Sequence, residues 1–177
     1  TVSGWCNMAR KARETSDNGI YHILHRSVGR QPLFEDDADK EKFCEILEQC
    51  RTVSGFLLYY YHLSNNHVHL LLRIRKEPLD TVFRRIGTRY VSYFNRRHDR
   101  SGTLFQGRFS SEPVCKETCF LSLLRYLYLH PSQEGLCVYP KDYPFNSAGD
   151  YMRGEGLTDT EYGRLLMKPA GAEAFFG

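Results

Sequence analysis

The sequence predicts an α+β fold: an antiparallel sheet in split β-α-β order with its helices packed on one face. Two kinds of segment carry that prediction. Short β-branched and aromatic runs are bounded by Gly, Pro, Ser or Asn, and longer segments repeat apolar residues every three or four positions. The third observation is their order along the chain. With 177 residues, 41% of them hydrophobic, the chain has the material for one ordinary core.

Residues 1–19 are polar and mixed, and 1–7 read as a leftover ahead of a native start at Met8. Ile20 to Arg26 is the first strand, ended by the Gly and Pro of GRQPLFED. Asp36 to Thr52 carries Phe43, Ile46 and Leu47 on one side, a helix with Asp36 and Asp37 at its positive end and Gly55 as its stop. FLLYYYHL (56–63) and HVHLLLRI (67–74), separated by Ser64-Asn65-Asn66, form a hairpin of central strands. Leu79 to Arg97 is a long helix through Val82, Ile86, Tyr90, Tyr93 and Phe94. DRSGTLFQGRF (99–109) turns into a short extended piece reaching Val114, and Glu117 to His130 is a helix stopped by Pro131. This order is that of ferredoxin-like domains. The domain is placed at 20–150, and 151–177 is expected to be a loose tail.

Charge is uneven. From Arg73 to Arg108 there are ten Lys or Arg against three acids, a local +7 within a net of +3. Arginines interleaved with Phe83, Tyr90, Tyr93, Phe94, Phe105 and Phe109 suit a surface that holds phosphates and stacks bases, and equally an amphipathic helix with a solvated arginine face. No apolar run reaches the roughly 18 residues of a membrane span, so a cytosolic protein with no membrane partner is expected. The six cysteines contain no CxxC, which points to reduced, mostly buried thiols rather than a zinc knuckle.

LSNNHVHLLL (63–72) holds the first candidate chemistry. His67 and His69, at i and i+2 on a strand, share a face roughly 6.5–7 Å apart along the chain, while Val68 points to the other face. Two neutral imidazoles side by side suit chelation of a divalent ion with room left for phosphate oxygens. The pair also fits one hydrogen-bonded core histidine beside an exposed one. On the last helix, Tyr126 and His130 lie about one turn apart beside the stripe of Phe120, Leu123, Leu124 and Leu127. They suit a phenol nucleophile with an imidazole as third ligand or proton acceptor, or an edge tyrosine with a histidine favoured by the helix C-terminus.

NNHVHLLL, taken with IYHILHRSVGRQPLF upstream and YFNRRHDRSGTLFQGRF and LLRYLYLHP downstream, resembles the REP-associated tyrosine transposases, the single-tyrosine HUH transposase-like family of bacteria, over roughly Met8 to Ser147. The resemblance implies a domain that binds single-stranded or hairpin DNA, with His67 and His69 holding Mg²⁺ or Mn²⁺ and Tyr126 attacking the phosphodiester. It implies a cytoplasmic, nucleoid-associated protein, monomer or homodimer, using no nucleotide cofactor. The family's usual amide four residues after the tyrosine is His130 here, which as a nitrogen ligand tilts preference toward Mn²⁺ or other transition ions. A basic residue usual near that helix end is replaced within PSQEG (131–135).

The implied reaction is one transesterification. Tyr126 takes the 5′ phosphate, a 3′ hydroxyl is released, and rejoining needs no ATP. Arg73, Arg75, Arg84, Arg85, Arg89, Arg96, Arg97 and Arg108 form the pool for backbone contacts, with Phe105 or Tyr90 to stack bases. Two other readings stand beside it: a hairpin-binding protein that no longer cuts, and a metal-dependent phosphodiesterase that uses water.

Overall fold

The computed structural model describes residues 14–168 and 171–176, so the expectation for residues 1–7 lies outside the described residues. Four strands form one antiparallel sheet in the order β2-β3-β1-β4, with β1 at Ile20–Arg26, β2 at Leu57–Leu63, β3 at His67–Arg73 and β4 at Ser110–Pro113. β3 runs antiparallel between β1 and β2, so those two are mutually parallel. That is the split β-α-β order expected from the sequence.

Helix α1 (Asp37–Ser54) begins where the Asp36 side chain accepts the Asp39 N–H, and ends at Gly55 in the left-handed conformation. Helix α2 (Leu79–Arg97) lies beside it, and both bury their stripes (Phe43, Ile46, Leu47; Val82, Ile86, Tyr90, Phe94) on the sheet face that carries Ile23, Val68, Leu70 and Leu72. Arg97 binds Asp36 and the fully buried Asp39, and His98 also reaches Asp39, so the N-terminus of α1 is clamped to the C-terminus of α2.

The expectation that helices pack on one face holds for α1 and α2 alone. Helix α3 (Glu117–Gln133) buries Phe120, Leu124 and Leu127 on the opposite face, against Ile20, Tyr59, Tyr60 and Leu71. The apolar residues of the central strands alternate between two cores, so both faces must be covered. Helices α4 (Ala148–Arg153), α5 (Glu161–Met167) and α6 (Gly171–Phe176) stand where a loose tail was expected, and Tyr151, Met167 and Phe176 are buried in this second core. Tyr151 donates its O–H to the Tyr59 carbonyl at 2.9 Å, which ties the segment to the sheet. Residues 145–147 pair along the free edge of β2.

α3 also runs past its expected stop. Pro131 is buried inside the helix, and the chain makes one further turn, closed by Glu134 N–H to the His130 carbonyl (3.0 Å) and Leu136 N–H to the Pro131 carbonyl (2.9 Å). Proline removes its own N–H bond and crowds the preceding turn, but it leaves the following residues free to stay helical. The five described cysteines are free; Cys50 is buried, whereas Cys115 and Cys119 are exposed, against the expectation of mostly buried thiols. No helix among the described residues is long and apolar enough to cross a membrane.

Candidate functional site

On the α3 face, β3 presents His67 and His69, with ring centroids 5.1 Å apart, and Val68 faces the other core as its alternation requires. Helix α3 brings His130 within 4.7 Å of the His69 ring and 5.8 Å of the His67 ring. One ligand atom from each of the three lies within 4.8 Å of the others. Tyr126, one turn earlier, stands over this group, its ring 5.1 Å from His130 and 6.4 Å from His69, and it is 44% exposed. A half-open phenol beside three converging imidazoles can both reach a substrate and be organised by what the imidazoles hold.

Two further histidines complete the cluster. His22 of β1 shares a 2.9 Å hydrogen bond with Nδ1 of His69 and lies 3.7 Å from the Glu112 carboxylate. His62 of β2 is fully buried opposite His69. Glu134, in the turn that closes α3, brings its carboxylate to His62 (3.0 Å), His67 (3.1 Å) and His130 (3.5 Å).

Electrostatics keep this group poised for a cation. Burial lowers the pKa of His22, His62 and His130, and burial together with the neighbouring imidazoles pushes His69 down to about 2, so these rings offer lone pairs rather than charge. Burial works against ionisation of Glu134, yet hydrogen bonds from His62, His67 and Ser64 hold its carboxyl well below the usual carboxylate range. Asn66 Oδ1, 2.8 Å from Nδ1 of His67, accepts that ring's proton and turns Nε2 to the site. Nδ1 of His130 and of His62 are buried without a protein partner. The residues therefore fit a divalent ion held by nitrogen: clustered imidazoles, fixed orientation and converging ring nitrogens.

A family model described as "Transposase IS200 like" matches residues 15–127. The chain belongs to the IS200-like transposase family. No curated protein matches it. Among solved structures, one described as the REP-associated tyrosine transposase bound to a REP hairpin is similar at a TM-score of 0.70 and 15% identity, over 85% of this chain and 90% of that one. A candidate transposase from Deinococcus radiodurans has a TM-score of 0.45 at 20% identity, over 66% of this chain and 94% of that one. The first likeness shows that this IS200-like transposase shares the architecture of the REP-associated enzyme.

The residues expected to touch DNA are scattered over this transposase. Arg85 is engaged by Glu77 and Ser54, and Arg97 by Asp36 and Asp39. Arg84, Arg89 and Arg96 are exposed on α2, in the helical layer across the sheet from the histidines. Arg108 faces Asp80 at 3.4 Å, Arg75 is exposed beyond β3, and Arg73 shares the histidine face at the far end of β3. Phe105 and Tyr90 do not offer stacking faces. Phe105 is 9% exposed under the His25 ring, 4.0 Å away, and Tyr90 is fully buried, its O–H donated to the Leu33 carbonyl.

A cleft of about 740 Å³ opens beside His67 instead, lined by Arg26, Arg30, Ser27, Asn66 and Gln106. Arg26 is the direct cross-strand partner of His67, so the two side chains share a face. Its signal was readable: His22, Leu24 and Arg26 alternate along β1, and the split β-α-β order sets β1 beside β3. Glu134 also left a trace, because Tyr126, His130 and Glu134 recur every fourth residue along one helical face once the helix is carried through Pro131. His62 left none. A bulge at Leu58/Tyr60 reverses the alternation of β2, which turns Tyr60 and His62 toward α3.

Proposed function

We propose that the chain is a single-strand DNA endonuclease and ligase of the transposase type, acting on single-stranded or hairpin DNA with Tyr126 as nucleophile. The observation that carries this reading is the exposed Tyr126 ring held beside His69 and His130 by a helix whose other face is locked into the core. The REP-associated structure with a bound hairpin supports the choice of substrate.

In this reading His67, His69 and His130 hold a divalent cation, and Mn²⁺ or another transition ion suits three nitrogens better than Mg²⁺. When bound, the ion supplies Lewis-acid stabilisation of charge on the phosphate oxygens. Arg26 and Arg30 bind the strand's phosphates in the cleft beside His67 and set its register. The Tyr126 oxygen attacks phosphorus as its proton leaves to solvent; the bond to the 3′ oxygen breaks, and that oxygen takes up a proton. The phosphotyrosine keeps the energy of the phosphodiester, so a 3′ hydroxyl can reverse the attack and rejoin a strand. The protein acts in the cytoplasm, where such DNA is found.

Labelled hairpin DNA incubated with the protein and Mn²⁺, then run on a denaturing gel, tests the proposal. Wild type is expected to give a band at the mass of protein plus DNA, and Tyr126→Phe none. An adduct that survives in Tyr126→Phe removes Tyr126 from the role. Free cleaved strands from both proteins select water as nucleophile, and retained binding without cleavage selects a silent hairpin binder.

A further inference from the structure

We infer that Glu134 is an additional, anionic ligand of the metal site and that buried His62 positions it, so that the site is a His₃-carboxylate centre for a transition ion. The inference rests on the reading of His67, His69 and His130 as metal ligands, and extends it to two residues outside the H-x-H and Tyr-His motifs.

Spacing is the first argument. Ligand atoms held about 2.0–2.1 Å from one ion at tetrahedral angles lie about 3.3 Å apart. One oxygen, Oε1 of Glu134, lies 3.1 Å from Nε2 of His67 and 3.5 Å from Nε2 of His130. Those two separations are short enough for one ion to lie between this oxygen and each of the two ring nitrogens.

Orientation is the second. Asn66 Oδ1 accepts the Nδ1–H of His67, which fixes the ring with Nε2 aimed at Oε1 of Glu134, 3.1 Å away. A ring nitrogen and a carboxylate oxygen fixed at that distance are a pair that one cation can join.

His62 is the third. It is fully buried on the site face, its Nε2–H donates to Oε2 of Glu134 at 3.0 Å, and its Nδ1 has no protein partner. A histidine there has one polar task, which is to fix the second carboxylate oxygen so that the first faces His67 and His130. The anion offsets one charge of a divalent ion that imidazoles leave uncompensated, while the three ring nitrogens keep the preference for borderline transition ions over Mg²⁺.

Metal binding tests this without DNA. Full-length protein is stripped with chelator and titrated with Co²⁺, whose visible absorption is intense when four-coordinate and weak when six-coordinate, with Mg²⁺ in parallel. Wild type is expected to bind one Co²⁺ with an intense band and to show far weaker Mg²⁺ binding. Glu134→Gln, nearly isosteric and checked for folding by circular dichroism, is expected to bind Co²⁺ about 100-fold more weakly with a diminished, shifted band. Glu134→Asp should fall between the two. His62→Gln is expected to lose about 10-fold while keeping the band's shape, as a positioning residue should. Glu134→Gln with the affinity and spectrum of wild type overturns the inference and leaves the three-histidine reading intact. A wild type as silent as His67→Ala overturns both.

Discussion

Each ring of the cluster has its second nitrogen treated differently, and that difference sets what each substitution will do. His67 is oriented by Asn66 and His69 by His22, while His130 is held by the helix that carries it. Asn66→Ala therefore frees the His67 ring to turn, and a Mn²⁺ titration should show binding weakened about 10- to 100-fold with the fold unchanged. Protonation is the second test at this scale. His62, His69 and His130 have folded pKa values below the ordinary imidazole value, so as pH falls below about 6.5 the unfolded chain takes up protons that the folded chain refuses. Their contribution to stability is complete above that pH and declines below it, for His69 down to about 2. Glu134, also depressed, adds a loss in the same direction once the pH drops through the carboxylate range. The melting temperature of metal-free protein should fall between pH 7.5 and 5, with a shallower slope in His69→Gln.

Among the elements, α3 matters most to the site, because Tyr126, His130 and Glu134 sit on one side of it and Phe120, Leu124 and Leu127 anchor the other. Leu124 is fully buried, so Leu124→Ala should cost about 2–5 kcal/mol in denaturant unfolding. The extra turn beyond Pro131 and the bulge in β2 are the two local departures that build the site. The first sets Glu134 one turn below His130; the second turns His62 to the same face. Neither was legible, for separate reasons. Proline is read as a helix stop because it disrupts the turn before it, though a helix can continue after it. A bulge adds one residue to a run, LLYYYHL, that has no polar alternation to reveal the slip. Strands β1 to β3 and helices α1 and α2 were legible because their apolar period is long and their ends carry Asp, Gly or Pro.

For the whole molecule, the balance of charge is less informative than its placement. The arginine-rich segment that dominates the sequence becomes α2, whose exposed Arg84, Arg89 and Arg96 lie across the sheet from the histidines. Arg26 and Arg30 come from a stretch with no charge excess and line the cleft beside His67. Arg26→Ala should weaken hairpin binding and lower the slope of affinity against salt by about 1, whereas Arg89→Gln should leave Mn²⁺-dependent cleavage at wild-type rate. Arg97→Ala separates the two roles a basic residue can have. It strips the buried Asp39 of a partner, so a lower melting temperature with no change in salt slope is expected. Local chemistry was enough to read the element order, the pairing of His67 with His69 and the turn that relates Tyr126 to His130, because each depends on repeats of two or four residues within one element. The joining of five histidines from three strands and a helix, with Glu134 against three of them, the placing of Arg26 rather than the α2 arginines beside His67, and the burial of Phe105 and Tyr90 all depend on which face each element turns inward. That choice follows from covering both faces of one sheet at once, a constraint that no single segment carries.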